Sequence, residues 1–362
     1  MTESDMRKFL IINPFGIGDC LFTTPVVNAL KKRYPGCFVG YWCNERVGEL
    51  LKKSIGVDKI FPLSRGDIKR VYKGFKRVTA LVSLIQQIKR ERFDVAFDYS
   101  LDSRYGLWSK LAGIKKRIGF DYKGRGRFLT DKVSLDGYSN KHAVEYYLEL
   151  LKFMDPLEPH GRSPLKVTYQ LTVSKENSAL AKKILAESGI KSSDTVIGIA
   201  MGGGASWGRD AIYKQWPAER FGELAHRIMK ETGARVVLLG SADEKRLVEI
   251  ASARNDGVDL TGKLNLEELA AVMKELKLLV CNDGGPLHMA VALGVSTVSI
   301  FGPVDEKVYG PYPPDEKHIV VKKDMPCRPC YKNFRFNGCA NNRRCLEDIS
   351  VDDVFEKVKK IL

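Results

Sequence analysis

The stretch LLVCNDGGPLHMAVALG, residues 278–294, decides the fold class of this 362-residue chain. Its aliphatic start predicts a buried strand, a polar glycine turn follows, and Pro286 suits the first turn of a helix, where its missing N–H is not needed. Backbone N–H groups and the helix dipole at such a helix start favour a bound anion. We therefore expect a diphosphate and sugar pocket at the carboxyl edge of a parallel sheet. Its predicted residues are Asn282, Asp283, Gly284, Gly285 and His288.

The N-terminus repeats this pattern. Residues 9–25, FLIINPFGIGDCLFTTP, contain an apolar strand, a Gly-x-Gly-Asp turn and the start of a helix that ends before Pro35. Glycine-rich βα turns are common in proteins with unrelated functions, so either stretch alone is also compatible with an ordinary turn. The presence of both in one chain is what favours a functional site.

Short aliphatic runs alternate with helical patterns along both halves, which predicts βαβ units and parallel sheets. The clearest predicted strands are residues 38–42, 95–98, 195–200, 236–240 and 258–261. The segment 155–164 has three prolines in ten residues and no periodicity, so it is the predicted domain boundary. We expect an α/β fold with two Rossmann-like domains, residues 1–155 and 165–350, followed by a helix at 351–362.

Four motifs in this order resemble those of the family 9 glycosyltransferases, the heptosyltransferases of lipopolysaccharide core assembly and their relatives. They are the Gly18-Asp19 turn, the segment 214–217 (KQWP), the loop 283–288 and the segment 301–303 (FGP). The resemblance covers most of the chain and implies the GT-B fold. In that fold two Rossmann-like domains with parallel sheets face each other across a cleft, the first binding the acceptor and the second the nucleotide sugar. The final helix of such chains often packs back on the first domain, as we expect for residues 351–362.

Asp19 is the candidate general base. Transfer of a sugar to a hydroxyl requires a group that removes the acceptor proton as the anomeric carbon is attacked. In the family that the chain resembles, this group is the aspartate of the Gly-Asp motif, and the neighbouring Gly18 lets the substrate approach. An inverting enzyme needs only this one base and no covalent intermediate. The alternative is that Asp19 is the N-cap of a helix that begins at Cys20, a common role for aspartate.

A third glycine-rich segment, residues 201–208, follows a predicted strand and precedes Lys214. Its backbone N–H groups can cradle phosphate oxygens, with Gly203 and Ser206 as the predicted contacts, and a lysine adds a mobile positive charge. In the family, a lysine before a Trp-Pro pair contacts the donor phosphates, and Lys214 occupies that position. The alternative is a surface lysine. We find no convincing Asp-x-Asp motif beside a strand end, which favours a metal-independent enzyme in which Lys214 and helix N-termini neutralise the leaving diphosphate.

Two further positions bear on the donor. Glu244, or Asp243 beside it, follows a predicted strand and is the candidate ligand of the ribose hydroxyls, although helix capping would also explain it. At the position of Gly284 the family usually carries Ser or Thr, whose hydroxyl can bond the diphosphate. Because Gly284 and Gly285 offer only backbone donors, we expect the affinity for the donor, or its identity, to differ.

The formal net charge is +15, and two basic clusters, residues 65–92 and 115–127, lie in the first half. Such a concentrated charge is expected to attract a polyanion such as a phosphorylated glycolipid, although a solvated basic face is the alternative. The predicted acceptor-binding residues are Gly18, Lys69, Arg70, Lys73 and Arg125. The polar N-terminus is unlike a signal peptide, and no apolar run approaches the roughly 20 residues that span a bilayer. We expect a cytoplasmic enzyme, peripheral on the inner membrane surface.

The eight cysteines form two groups. Four are scattered through predicted strands and helices and are expected to be small buried hydrophobes. The other four form a C-x2-C-x8-C-x5-C cluster in the loop 326–346, namely Cys327, Cys330, Cys339 and Cys345. Four thiolates suit a closed tetrahedral Zn²⁺ site, and in a cytosolic protein such spacing favours a metal over disulfides. Structural zinc, disulfides and free thiols all stay open, and none of them implies catalysis.

Together these features predict an inverting glycosyltransferase that moves heptose from ADP-heptose to an anionic inner-core lipopolysaccharide acceptor. One alternative is another nucleotide sugar and a different surface polysaccharide on the same fold. A nicotinamide dehydrogenase would need a third glycine after Gly18, and the sequence lacks it. A basic nucleic-acid-binding protein is suggested only by charge, because no zinc-finger, helix-turn-helix or RNA-recognition signature is present, so we expect no specific nucleic-acid partner.

Overall fold

The computed structural model describes residues 6–54, 56–63, 75–154, 168–203, 205–252 and 257–362. The chain divides into two compact units, Met1–Tyr169 and Gln170–Leu362. The predicted boundary at 155–164 lies outside the described residues. Each unit contains a six-stranded sheet, and both sheets are parallel, which confirms the α/β class predicted from the alternating patterns.

The first unit contains a parallel sheet, and helices connect most of its consecutive strands. Its strands are β1 (Lys8–Asn13), β2 (Phe38–Cys43), β3 (Lys59–Pro62), β4 (Val95–Asp98), β5 (Lys116–Tyr122) and β6 (Asp131–Leu135). They lie in the order β3-β2-β1-β4-β5-β6. The described helices are α1 (Ile17–Phe22), α2 (Thr24–Arg33), α3 (Glu45–Ser54), α4 (Phe75–Glu91), α5 (Ser103–Leu111) and α6 (Ala143–Glu149), with a 3-10 turn at Leu150–Phe153.

The second unit repeats this plan. Its strands are β7 (Val196–Ala200), β8 (Arg235–Leu239), β9 (Val258–Asp259), β10 (Leu278–Asn282), β11 (Ser296–Ile300) and β12 (His318–Val321), in the order β12-β11-β10-β7-β8-β9. The described α-helices are α7 (Lys175–Glu187), α8 (Ala218–Thr232), α9 (Lys245–Ser252), α10 (Leu266–Lys274), α11 (Gly285–Leu293), α12 (Glu306–Tyr309), α13 (Arg344–Glu347) and α14 (Val351–Lys359). The 3-10 helices Ala205–Lys214 and Ala242–Glu244 and a hairpin of β13 (Tyr331–Lys332) and β14 (Arg335–Phe336) complete it.

The central strands are those with continuous apolar sequences. β1 has five of its six residues buried, and all five residues of β10 are buried, because a parallel sheet is covered on both faces. The edge strands β3, β6 and β12 are only partly buried and lack such a run, so the sequence analysis missed them. Among the described helices, none combines the length and apolarity needed to cross a membrane.

The apolar face of the final helix is covered within the second unit. Val351, Val354, Phe355 and Val358 of α14 are buried in the core cluster of this unit, together with residues of β7 and β8. The helix contacts α8, β11 and β12. The packing of residues 351–362 on the first domain stays a prediction.

Both sheets have a topological switch point, where the chain has built one side of the sheet and crosses to the other. It lies between β1 and β4 in the first unit and between β7 and β10 in the second. In open parallel sheets, ligands bind beyond the carboxyl ends of the strands at this point. The two glycine turns predicted from the sequence follow β1 and β10, so each lies at a switch point.

Candidate functional site

The donor candidates of the second unit converge on the switch point between β7 and β10. Gly203 follows β7, Asp283 follows β10, and the two strands are paired. A Cβ atom placed on Gly203 would lie 3.2 Å from both Asn282 Cβ and Asp283 O. The glycine run and the turn at 282–285 are therefore neighbours, although the sequence separates them widely.

Lys214 forms a buried ion pair at the same sheet edge. Its Nζ lies 2.7 Å from Asp283 Oδ2, with 11% of the lysine side chain and 5% of the aspartate side chain exposed. The ammonium also lies over the Trp207 ring, 5.1 Å from the ring centroid. A buried ammonium without a countercharge is costly, and Asp283 supplies that charge. Lys214 is thus not the surface lysine of the alternative interpretation.

Asn282 connects three segments around this pair. Its Oδ1 accepts from the Trp216 backbone N–H at 3.0 Å, and its Nδ2 donates to Met201 O at 2.6 Å. The residue is buried. The structure gives the predicted donor ligand Asn282 a positioning role, because its amide ties the end of β10 to the end of β7 and to the start of α8.

Glu244 lies against the glycine run. A Cβ atom on Gly202 would lie 1.6 Å from Glu244 Oε1, and one on Gly240 would lie 2.6 Å from Oε2, so the carboxyl fills the space that side chains would need there. Oε2 accepts from the Ser241 backbone N–H at 2.8 Å within a capping box. Burial raises the pKa of this carboxyl above its ordinary value. The capping role is therefore present, and it holds the carboxyl at the edge where β7 and β8 end.

The remaining donor candidates lie at or near helix starts. Gly284 is the N-cap of α11 with φ 171° and ψ −173°, an extended conformation that residues with side chains also adopt. Gly285 begins the helix, and His288 is buried near its start. Ser206 is exposed on the 3-10 helix Ala205–Lys214. The backbone N–H groups of the α11 start, which predicted anion binding, thus lie beside the Lys214–Asp283 pair.

Asp19 lies on α1, which follows β1 directly. The helix begins at Ile17, its N-cap is Gly16 without a side-chain cap bond, and Asp19 lies partly exposed in the first turn beside the buried Gly18. The N-cap alternative for Asp19 is therefore wrong, because the helix starts before Cys20. An acidic side chain in the first turn is stabilised by the helix dipole.

Asn13 supports the turn that carries Asp19. Its Nδ2 donates to the Asp19 backbone oxygen at 2.9 Å, and its Oδ1 accepts from the Phe15 N–H at 3.2 Å. Sequence reasoning missed this residue. The signal that could have identified it is its position in the sequence. Asn13 is the last residue of β1 and Asn282 is the last residue of β10, so one strand at each switch point ends in an asparagine.

Asp98 is a second polar residue that the sequence analysis did not single out as functional. It ends β4, in register with Ile12 of β1. Its Oδ1 accepts from the Ser100 N–H at 2.9 Å. Burial raises the pKa of the carboxyl to about 7. A single acid at the end of an apolar strand was the signal in the sequence.

The arginines of the basic first half differ in their exposure to solvent. Arg117 is partly buried and donates to Ile114 O and Phe128 O. Arg125 is exposed after β5, at the same sheet edge as Asp19, and its guanidinium donates to Leu101 O at 3.4 Å. The other predicted acceptor contacts, Lys69, Arg70 and Lys73, lie outside the described residues.

The four cysteines of the C-terminal loop line one small cavity together with Tyr213 and Pro303. All eight cysteines of the chain lie in the described ranges and are free thiols. Burial and the neighbouring thiols raise the pKa of Cys330 to about 11. Across the described ranges, no three or more Cys, His, Asp or Glu side chains are arranged to hold a metal ion. The structural zinc site therefore stays a prediction.

The chain is similar to known glycosyltransferases in sequence and in fold. The profile of Glycosyltransferase family 9 (heptosyltransferase) matches residues 81–340, more than half of the chain. Lipopolysaccharide heptosyltransferase 2 of Salmonella typhimurium is 27% identical over 307 residues, covering 82% of this chain and 83% of the relative. Among solved structures, a glycosyl transferase family 9 protein from Veillonella parvula has a TM-score of 0.82 at 21% identity, covering 98% of this chain and 97% of that chain. E. coli ADP-heptose lps heptosyltransferase II has a TM-score of 0.77 at 23% identity, covering 98% of both chains.

The similarity to solved structures confirms the predicted GT-B fold. The profile match confirms the family that the four motifs suggested, and with it the class of enzyme, a glycosyltransferase. The chain belongs to glycosyltransferase family 9, the heptosyltransferase family.

Proposed function

We propose that this enzyme transfers heptose from ADP-heptose to an anionic inner-core lipopolysaccharide acceptor, with inversion at the anomeric carbon. The proposal is supported by the family and by relatives named as lipopolysaccharide and ADP-heptose heptosyltransferases. The structural observation that supports it most directly is the Lys214–Asp283 ion pair at the switch point of the second sheet. Its Nζ and Oδ2 atoms lie 2.7 Å apart, and both side chains are nearly buried. A cation held there beside a helix start suits the diphosphate of a nucleotide sugar.

On the donor side, Lys214 exchanges its contact with Asp283 for the diphosphate. The backbone N–H groups of Gly203, Gly284 and Gly285 and the dipole of α11 add partial positive charge. His288 and Ser206 complete the set of donor contacts, and Glu244 binds the ribose hydroxyls. The negative charge that develops on the leaving diphosphate is stabilised by these groups without a catalytic metal.

On the acceptor side, Asp19 removes the hydroxyl proton as the oxygen attacks the anomeric carbon. The new bond joins the acceptor oxygen to that carbon, the bond to the diphosphate oxygen breaks, the proton goes to the Asp19 carboxylate, and ADP leaves. Attack opposite the leaving group inverts the configuration. Asn13, which holds the backbone of Asp19, keeps the carboxylate in place.

The acceptor is bound through its phosphates and acidic sugars. Arg125 and the sequence around Lys69, Arg70 and Lys73 supply positive charge in the half of the chain that carries Asp19. This positive charge draws the enzyme to the anionic inner face of the membrane without insertion, so we propose a cytoplasmic, peripheral enzyme.

A second candidate is transfer of another nucleotide sugar to a different surface polysaccharide. The residue that favours it is Gly284, because the hydroxyl usual at this position in the family is missing. The backbone at Gly284 is extended, a conformation that residues with side chains also adopt. Backbone strain therefore does not explain why the hydroxyl is missing, and we attribute its loss to a different ligand.

The test of both candidates is product formation from ADP-, UDP- and GDP-sugars with deacylated inner-core acceptors. We expect transfer with ADP-heptose and at least tenfold less with UDP- or GDP-sugars. Gly284→Ser is the matched variant, and it should tighten ADP binding by a few-fold through one added hydrogen bond. Transfer only from a UDP- or GDP-sugar would replace the first candidate by the second.

The four cysteines of the loop 326–346 are proposed to have a structural role and no part in catalysis. Its four cysteines are a ligand set that Zn²⁺ prefers, and they share one cavity. Metal analysis of the purified enzyme tests the zinc proposal. One zinc per chain, released when the thiols are modified, would support it, and a metal-free enzyme with full activity would contradict it.

A further inference from the structure

Lys214 is in contact with an aromatic cluster that no motif of the family predicted. The Trp207 ring lies 5.1 Å below the ammonium, and its centroid is 5.0 Å from those of Tyr331 and Phe336. Gly208, directly after Trp207, has φ 60° and ψ −120°. Only glycine adopts this conformation readily, and it turns the chain between Trp207 and Lys214.

The two rings that hold Trp207 come from one hairpin. Tyr331 of β13 and Phe336 of β14 are a cross-strand pair. Phe336 also contacts Tyr213, the residue before Lys214, with ring centroids 4.9 Å apart. The hairpin therefore contacts the 3-10 helix Ala205–Lys214 near both of its ends, and Lys214 is the last residue of this helix.

Hydrogen bonds connect the hairpin and the loop around it to other segments of the second unit. The N–H groups of Cys330 and Tyr331 donate to Pro303 O at 2.8 and 3.1 Å. Arg343, at the far end of the cysteine loop, donates to Ile212 O at 2.9 Å. A hairpin of two short strands is not stable alone, so these anchors determine its position.

We infer that the Tyr331–Phe336 hairpin and Trp207 are positioning residues that hold the Lys214 ammonium where the donor diphosphate binds. Lysine is a flexible point charge, and an aromatic face below it restricts where the charge lies. The inference rests on the proposed function, in which Lys214 binds the diphosphate. It assigns the cysteine loop a role at the donor site that does not depend on the state of its thiols.

The test is a double-mutant cycle between Phe336→Ala and Lys214→Ala, with ADP and inorganic pyrophosphate as probes. Pyrophosphate reports the diphosphate contact whatever nucleoside the donor carries. We expect Phe336→Ala to weaken binding of both probes by about three- to tenfold. The same substitution should have no further effect in the Lys214→Ala background, because its effect passes through the lysine. Phe336→Tyr, which keeps the ring, should restore binding.

The possible outcomes separate the inference from the proposed function. If Lys214→Ala leaves binding of both probes unchanged, the proposed role of Lys214 fails, and the inference fails with it. If Lys214→Ala weakens binding but Phe336→Ala does not, or if the two effects add, the inference fails and the proposed function stands. Should Phe336→Ala not fold, the same cycle with Trp207→Leu against Trp207→Phe decides the question.

Discussion

The Lys214–Asp283 pair combines two effects that mutation can separate. Both side chains are nearly buried, so the pair stabilises the second unit by mutual neutralisation, while the ammonium is the proposed contact of the diphosphate. Removing one partner of a buried pair leaves an uncompensated charge, which costs about 3–5 kcal/mol, whereas replacing both by apolar residues is often neutral. Stability and ligand binding should therefore respond differently to single and double substitutions.

We predict that Lys214→Met lowers the free energy of unfolding by roughly 3 kcal/mol and weakens ADP binding at least tenfold. Adding Asp283→Leu should restore most of the stability, because no buried charge is then unpaired, but not the affinity for ADP. Urea unfolding and titration calorimetry on the three proteins measure both quantities. Recovery of ADP binding in the double variant would show that Lys214 acts only in folding.

At the scale of elements, glycines and asparagines at strand ends set the geometry of the site. Asn13 holds the segment that follows β1, Asn282 ties the end of β10 to the end of β7, and Gly202 leaves the space that the Glu244 carboxyl occupies. The aliphatic patterns predicted the central strands, but the contacts of Asn282 with Met201 and of Gly202 with Glu244 join residues far apart in sequence. Trp207 and Phe336 are also far apart in sequence, and their contact depends on the path that the chain takes after β12.

Gly202→Ala tests this close contact. The added Cβ would lie 1.6 Å from Glu244 Oε1, so the carboxyl must move and its bond to Ser241 is lost. We expect the free energy of unfolding to fall by about 1–3 kcal/mol. Because Glu244→Ala removes the carboxyl that the new Cβ would meet, Gly202→Ala should cost less in the Glu244→Ala background than in the unsubstituted protein, as thermal unfolding of the single and double variants can measure. An equal cost of Gly202→Ala in both backgrounds would place the clash elsewhere.

At the scale of the whole molecule, two sheets of identical strand order each carry candidate site residues at the switch point. The motifs at 18–19, 214–217, 283–288 and 301–303 were sufficient to predict the family and the fold, because strand-turn-helix units with glycine turns are local features. The edge strands β3, β6 and β12 and the packing of α14 were not predictable in this way. Their burial depends on which neighbour covers them, and local sequence does not encode that neighbour.

The pH dependence of stability offers a test at this scale. Burial raises the pKa of Asp98 from 3.8 to about 7, so the folded protein binds this proton more tightly than the unfolded chain. The contribution of Asp98 to stability is then largest below about pH 4, falls as the pH rises toward 7, and levels off above that value. Asp98→Asn keeps an acceptor for the Ser100 N–H but cannot ionise. Its loss of unfolding free energy between pH 5 and pH 8 should be smaller than that of the unsubstituted protein by roughly 2 kcal/mol.

Urea unfolding of the two proteins at several pH values provides this comparison. Because all other titrating groups are shared, the difference between the two curves isolates Asp98. Parallel curves would mean that the carboxyl does not change its protonation state in this range.

The central claim is that Asp19 is the base of a transfer from a donor bound in the second unit. The most direct test is the rate of heptose transfer from ADP-heptose by Asp19→Asn, with the affinity for ADP measured on the same protein. The substitution keeps the shape of the side chain and removes its basicity. We predict that transfer falls by about 10²–10⁴-fold while ADP binds within about twofold of the unsubstituted enzyme. Transfer that persists in Asp19→Asn, or ADP binding that is lost in step with it, would contradict this account.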